Sequence, residues 1–265
     1  MTFDGLNPAF DPALLSRIED AGLNASAPPQ QLWLDGWLVR FSPGKAKRAR
    51  CVNAVALGRG PVEGRLQACE AVFAEADLPM IVRITPFTLP PELDAVLAGH
   101  GLHRFDDTRV MALADLSTLA AQNLALPPGA EVHTAGLETF AQRVGSLRGS
   151  PLSQRQAHGQ RLLNSPVPFQ AYELHVDSAL VACGQFAIEG ALVGLYDVFT
   201  APHARGRGYA GILCRHLLKQ AHTCGARHAY LQVDGDNRVA RSVYQRLGFA
   251  DAYAYHYRTR DPSAA

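Results

Sequence analysis

With 265 residues, 48% of them hydrophobic and 18% charged, the chain is long enough for one large domain or two small ones and too apolar to be disordered. A formal net charge of +1 gives no reason to expect nucleic acid or membrane as partner, and no apolar run approaches the ~20 residues of a membrane span. Five scattered cysteines, an odd number, fit free thiols in a reducing compartment, and the opening Met-Thr-Phe-Asp-Gly has no secretory character, so a cytoplasmic location is expected.

Taken in chain order, residues 12–21 read as a short helix. Residues 32–41 alternate about an Asp35-Gly36 turn, the chemistry of a hairpin. A strand is predicted at 51–57, and a helix at 65–76 with Leu66, Cys69, Val72 and Phe73 as its apolar stripe. A strand (80–84), a helix (91–98) and a strand (109–113) follow. The basic run Lys45-Ala-Lys47-Arg48-Ala-Arg50 reads first as a solvated loop; an acidic acceptor or an RNA contact is the sharper alternative, weakened by the lack of interleaved aromatics. Leu126-Pro127-Pro128-Gly129 is a break that divides the chain into residues 1–126 and 127–265.

Beyond the break, a helix is predicted at 137–145 and a polar, helix-prone stretch at 153–163. Strands at 169–176, 180–188 and 191–200 lead to a long helix at 209–224. A strand at 229–233, a helix at 237–247 capped by Asp236, and a last strand at 252–257 complete the pattern. Cys214-x-His216 and His222-x-Cys224 suggest metal ligands only on paper. Residues two apart on a helix point about 200° away from each other, so no metal is expected.

The most informative stretch is 198–210, a strand running through a glycine turn into a helix. Gly206 and Gly208 let the backbone adopt conformations closed to other residues, and the helix start offers unpaired N–H groups with the positive end of a dipole. With Arg205 and Arg207 alongside, this is an anion site suited to phosphate. The absence of Gly-Lys-Ser/Thr excludes the triphosphate loop. Gly206, Gly208 and Gly211 follow the glycine spacing of the dinucleotide fingerprint, but the turn opens on Arg205 rather than glycine, which favours a different phosphate loop.

The remaining pattern, Arg205-x-x-Gly208-x-Ala210, resembles the pyrophosphate loop of the GNAT superfamily of acyl-CoA-dependent N-acyltransferases. About 30 residues on, Asn237-x-x-Ala240-x-x-x-Tyr244-x-x-x-Gly248-Phe249 is similar to the second cofactor motif of that superfamily. The resemblance implies an α+β, mixed-sheet acyltransferase fold in two tandem copies, the first lacking the loop and so degenerate, with an unrelated α+β cap as the alternative for that half. It implies acetyl-CoA as co-substrate, with Val198, Phe199 and Thr200 against the pantetheine and thioester. Arg205, Gly206, Arg207, Gly208, Tyr209, Ala210 and Gly211 would hold the pyrophosphate, and Asn237 the cofactor arm.

Tyr244 stands where the family places an acid for the departing thiolate; a core aromatic is the plainer reading. The family's strand glutamate would fall near Val193 and Gly194 and is missing, which leaves Asp197. Strict alternation groups Asp197 with Leu195 and Phe199, and its carboxylate could receive the substrate ammonium, act as base through water, or accept hydrogen bonds from neighbouring loops. His203 reads as a shaper of the loop. The tail Tyr253–Arg258 reads either as acceptor-pocket lining or as plain sheet. The expected activity is direct acetyl transfer from acetyl-CoA to a primary amine of a small molecule, because no cysteine stands beside the loop to carry the acyl group. A non-catalytic acyl-CoA sensor and a protein acetyltransferase are the rival classes. The expected partners are acetyl-CoA and the amine, without nucleic acid or membrane, and with homodimerisation left open.

Overall fold

A computed structural model of the protein describes residues 5–42, 46–123 and 125–263. Helix α1 (Pro12–Ala25) begins with the Asp11 carboxylate accepting the Ala13 N–H and with proline in its first turn. Strands β1 (Gln31–Leu34) and β2 (Trp37–Arg40) form the predicted hairpin, with Asp35 and Gly36 both at positive φ, as a two-residue turn demands. After β3 (Val52–Ala54) come α2 (Val62–Glu75), β4 (Val82–Ile84), α3 (Leu93–Gly99), β5 (His103–Leu113) and the short α4 (Ser117–Ala120).

The second half runs β6 (Ala130–Ala135), α5 (Leu137–Leu147), α6 (Leu152–Leu163), β7 (Phe169–Val176), β8 (Ala179–Glu189), β9 (Leu192–Thr200), α7 (Tyr209–Thr223), β10 (His228–Asp234), α8 (Arg238–Arg246) and β11 (Ala250–Thr259). Strand β6 escapes the sequence reading because it is an edge strand: Glu131, His133 and Thr134 are exposed, so little of it carries an apolar signature. Helix α8 is capped by Asn237, whose Oδ1 accepts the Ala240 N–H at 3.1 Å, one residue later than the Asp236 cap expected.

Among the described residues the strands form one mixed sheet of eleven, ordered β1-β2-β3-β4-β11-β5-β10-β9-β8-β7-β6. Each half contributes an antiparallel meander that ends in a strand–helix–strand crossover to a parallel neighbour, β3 to β4 and β9 to β10. The centre is an exchange. β11 pairs with β4 of the first half, and β5 pairs with β10 of the second. The aromatic tail therefore lies mid-sheet: Tyr253, Tyr255 and Tyr257 are buried.

Helices cover both faces. On one, Leu213, Cys214, Leu217, Leu218 and Ala221 of α7 pack on Ala182, Val193, Leu195 and Leu231, each large side chain contributing roughly 1.5–3 kcal/mol by burial. On the other, Leu15, Ile18 and Ala21 of α1 meet Leu192, Tyr230 and Tyr253, and Phe140, Ala141 and Val144 of α5 meet Phe169 and Ala187. A buried ion pair locks the halves together. Arg83 of β4 donates to both oxygens of Glu19 in α1, and the Tyr253 hydroxyl of β11 donates to Glu19 Oε2 at 2.8 Å.

Candidate active site

The parallel pairing of β9 with β10 runs from Leu192–His228 to Leu195–Leu231 and stops there. Both strands continue, but they diverge, so beyond Leu195 strand β9 keeps β8 on one side and, among the described residues, no strand on the other. A bulge marks the parting. The β8 partners step from Gln185 opposite Tyr196 to Cys183 opposite Phe199, and Asp197 has φ of +51°. The bulge overturns the strict alternation expected of this strand. Leu195 and Val198 share the α7 face, while Tyr196 and Phe199 share the opposite face.

A cavity of about 340 Å³ fills the gap between the strands. Val198, Leu231, Asn237, Ala240 and Tyr244 line it toward α8; Arg48, Arg148, Arg161, Phe169, Tyr196 and Gln232 line it on the other face of the sheet. The expected residues Asp197, Val198, Asn237 and Tyr244 are thus brought together around one space. Phe199 and Thr200 are not among its lining residues; they continue β9 opposite Cys183 and Ala182. Nor do residues 205–211 line it, since they lie past the strand end at the start of α7.

That loop has the geometry of an anion cradle. A 3-10 turn, Pro202–Ala204, delivers the chain to Arg205, whose guanidinium sits over the Phe199 ring at 5.7 Å. His203 belongs to this turn and is exposed. Gly206 and Gly208 have φ of +78° and +80°, which a side chain would strain, and a Cβ at either would point into open space. Gly208 is the N-cap of α7, and its carbonyl is taken by the Ile212 N–H. The N–H groups of Tyr209, Ala210 and Gly211 in the first turn have no partner within the helix. Arg207 is exposed beside them.

The corresponding β3–α2 junction of the first half, Gly58-Arg59-Gly60, is filled from within. The Asp35 carboxylate accepts the Arg59 N–H at 2.8 Å and the Gly60 N–H at 2.9 Å, and these bonds hold its pKa below the ordinary carboxylate value. The gap beyond β3 and β4 is likewise crossed by the chain itself, with the Leu89 N–H donating to the Ala54 carbonyl. The first half is a degenerate copy whose cradle its own carboxylate occupies.

Asp197 sits at the cavity wall. Arg148 Nη1 donates to it at 2.8 Å and Gln185 Nε2 at 2.7 Å, and His158 Nε2 lies 3.1 Å from it. Burial alone would raise its pKa, but His158 and Arg148 more than reverse that, holding the carboxyl far below the usual range. Tyr244 is half-buried, edge-on to Phe249 at 6.1 Å, and burial pushes its phenol above the ordinary value. Tyr196 is pushed up to about 12 by burial and shares a 2.7 Å hydrogen bond with Tyr230.

Several of these residues carry little sequence signal. Arg48, from the basic run read as a solvated loop, instead reaches the cavity and donates to Gln232 Oε1 at 2.7 Å, while Lys47 pairs with Asp106 at 3.0 Å. Pro43, Gly44 and Lys45 lie outside the described residues. His158 and Arg161 are three apart on α6 and so share one face of that helix, the one pattern that could have pointed inward. Tyr255 supports the cavity from behind, donating to Gln232 at 2.7 Å. Cys214, the cysteine nearest the loop in sequence, is buried and pushed up to about 12. Among the described residues, no three His, Cys, Asp or Glu side chains cluster as metal ligands, and no helix is long and apolar enough to cross a membrane.

The chain is similar to known acetyltransferases in sequence and fold. Over 229 residues, the chain is 25% identical to the uncharacterised N-acetyltransferase YobR of Bacillus subtilis strain 168, covering 84% of this chain and 90% of that one. Its fold superposes on a GCN5-related N-acetyltransferase from Kribbella flavida with a TM-score of 0.67 and 18% identity, covering 94% and 95% of the two chains. A tandem GNAT protein from the clavulanic acid biosynthesis pathway matches at a TM-score of 0.61 and 18% identity, over 78% of this chain and 74% of that one. The family model described as "Probable histone acetyltransferase Rv0428c C-terminal" matches residues 14–258. The chain therefore belongs to that family and is an acyltransferase enzyme of the GNAT superfamily, built as two tandem GNAT-like halves.

Proposed function

We propose that the enzyme transfers an acetyl group directly from acetyl-CoA to a primary amine of a small molecule. The observation that carries this reading is a cavity lined from both faces of the sheet where β9 and β10 part, with Tyr244 and Asn237 on one side and Arg48, Arg148 and Arg161 on the other. The pyrophosphate would lie on the first-turn N–H groups of Tyr209, Ala210 and Gly211, flanked by Arg205 and Arg207. The pantetheine would take the place of the missing strand beside Val198, Phe199 and Thr200. Backbone N–H groups near Val198 and Phe199 would meet the thioester oxygen as charge develops on it.

The amine would enter from the arginine side and attack across the gap. Tyr244, kept protonated by burial, would give its proton to the departing sulfur. Asp197 is poorly suited to take a proton, since three partners hold it ionised; it would instead fix Arg148 and His158 at the chamber wall. The cavity volume suits a metabolite, and its arginine lining disfavours a lysine-rich protein tail such as the family description suggests.

The test is calorimetric titration with acetyl-CoA beside Gly208→Glu, followed by an amine screen for CoA release. Micromolar binding by the wild type, weakened at least tenfold in the variant, is expected. The glutamate meets both the strained φ and the phosphate charge. Equal binding by the two proteins would move the cofactor elsewhere.

A further inference from the structure

We infer that the amine acceptor carries an oxyanion, a carboxylate or a phosphate, which Arg48 and Arg161 receive in the chamber on the opposite face of the sheet from α8. The inference rests on reading this cavity as the transfer site. It starts from a charge imbalance. Three arginines, Arg48, Arg148 and Arg161, line the cavity together with two carboxylates, Asp197 and Asp234. Asp197 is already engaged by Arg148, Gln185 and His158. Asp234 caps its own turn, with Oδ1 accepting the Asp236 N–H at 2.8 Å.

That leaves two guanidiniums without a counter-ion: among the described residues, neither Arg48 nor Arg161 has a carboxylate within ion-pair distance. Arg48 reaches only neutral oxygens, Gln232 Oε1 at 2.7 Å and Tyr255 Oη at 3.4 Å, and its buried Nε has no partner at all. Arg161 is partly buried, and burial lowers its pKa; Asp197, already engaged and beyond ion-pair distance, attracts it, while Arg48 opposes it as a like charge. A protein rarely holds two neighbouring, partly buried cations without a use for them, because desolvation and repulsion both oppose it. Their planar forks match a carboxylate or phosphate, whose charge would offset both penalties. The phosphates of acetyl-CoA do not meet this need, since the glycine loop at residues 205–211 is not part of the cavity lining.

The experiment is calorimetric titration of the protein saturated with CoA, using product-class probes in matched pairs. The carboxylate arm is N-acetylglycine against N-acetylglycinamide; the phosphate arm is N-acetyl-O-phosphoethanolamine against N-acetylethanolamine. One charged probe is expected to bind at least tenfold tighter than its neutral partner. Arg161→Met and Arg48→Met should each abolish that preference, Arg161→Lys should retain part of it, and the remote Arg260→Met should leave it intact. Equal binding of charged and neutral probes, binding of no charged probe, or an equal loss in Arg260→Met would overturn the assignment. Acetyl-CoA titration of the same proteins separates the two readings. If the wild type fails to bind acetyl-CoA, the transfer reading falls, and inorganic phosphate titrated into the CoA-free protein and into both methionine variants then decides the arginine site alone.

Discussion

The hydroxyls of Tyr196 and Tyr230 meet at 2.7 Å across β9 and β10, one residue from the point where the two strands part. Gly194 makes this contact possible. A Cβ there would come within 2.7 Å of the Tyr230 hydroxyl and 2.6 Å of the Tyr196 ring. Gly194→Ala should therefore push the tyrosines apart at the mouth of the cavity. Overpacking of this kind costs about 1–3 kcal/mol, or a Tm decrease of roughly 2–10 °C for a chain of this size. Calorimetric unfolding checks it, and an unchanged Tm would mean that the pair relaxes without cost.

Tyr244→Phe keeps the ring against Phe249 and removes the proton. General acids contribute about 10²–10⁴-fold, so kcat should fall about a hundredfold or more, with acetyl-CoA affinity unchanged. Because burial raises the phenol pKa, Tyr244 stays protonated through its ordinary titration range near 10. The wild-type rate should accordingly rise as the amine deprotonates and show no alkaline decline below about pH 10. A decline near neutrality would assign the acid elsewhere.

Asp197→Asn discriminates between a base and a wall-fixing carboxylate. Loss of a base would lower kcat by about 10²–10⁴-fold; loss of an anchor for Arg148 and His158 should act chiefly on the acceptor KM. The pH dependence has a definite sign. The folded-state pKa is depressed, so the stabilisation from this carboxylate is present above its unfolded value near 3.9 and is lost as the pH falls through and below that value. The Tm gap between wild type and variant should be widest near neutrality, begin to narrow only below about pH 4, and shrink progressively as the pH falls further toward the depressed folded-state value. A gap that does not narrow at all below about pH 4 would show that the charge is not what stabilises.

Glu19→Ala should be among the most damaging substitutions outside the cavity. It strands the Arg83 guanidinium and the Tyr253 hydroxyl, both buried. Breaking a buried pair from one side costs about 3–5 kcal/mol. Since α1, β4 and β11 meet there, the two halves should lose their structure together, in one unfolding transition seen equally by calorimetry and tyrosine fluorescence. Two separated transitions would argue that the halves are energetically independent despite the exchanged strands.

Much of this molecule is legible in its residues alone. The Asp35-Gly36 turn, the α7 stripe and the glycines at 206 and 208 are local matters: a positive φ or a 3.6-residue period is written over a few adjacent positions, and the glycine turn before α7 is a device of that kind. The helix start at Asn237 shows the limit of the local code, because Asp236 is as good a cap by type and only the backbone path chooses between them. Other features need partners that are distant in sequence. The bulge at Asp197 moves Tyr196 and Phe199 onto one face, and it exists because β8 supplies one residue fewer there than β9. Arg48 and Arg161 look like surface charges until the 3-10 turn Lys47–Ala49 and helix α6 fold them over the same gap, more than a hundred positions apart, and Asp35 reads as a turn residue until Gly60 approaches it. The exchange of β5 and β11 is likewise invisible in either strand, since hydrophobic alternation specifies that a strand is buried and leaves open which neighbour buries it. The sequence by itself determined most of the elements, the glycine cradle and the family; only the tertiary structure decided what the cavity holds together, because charge pairing and strand neighbours are relations between distant parts of the chain.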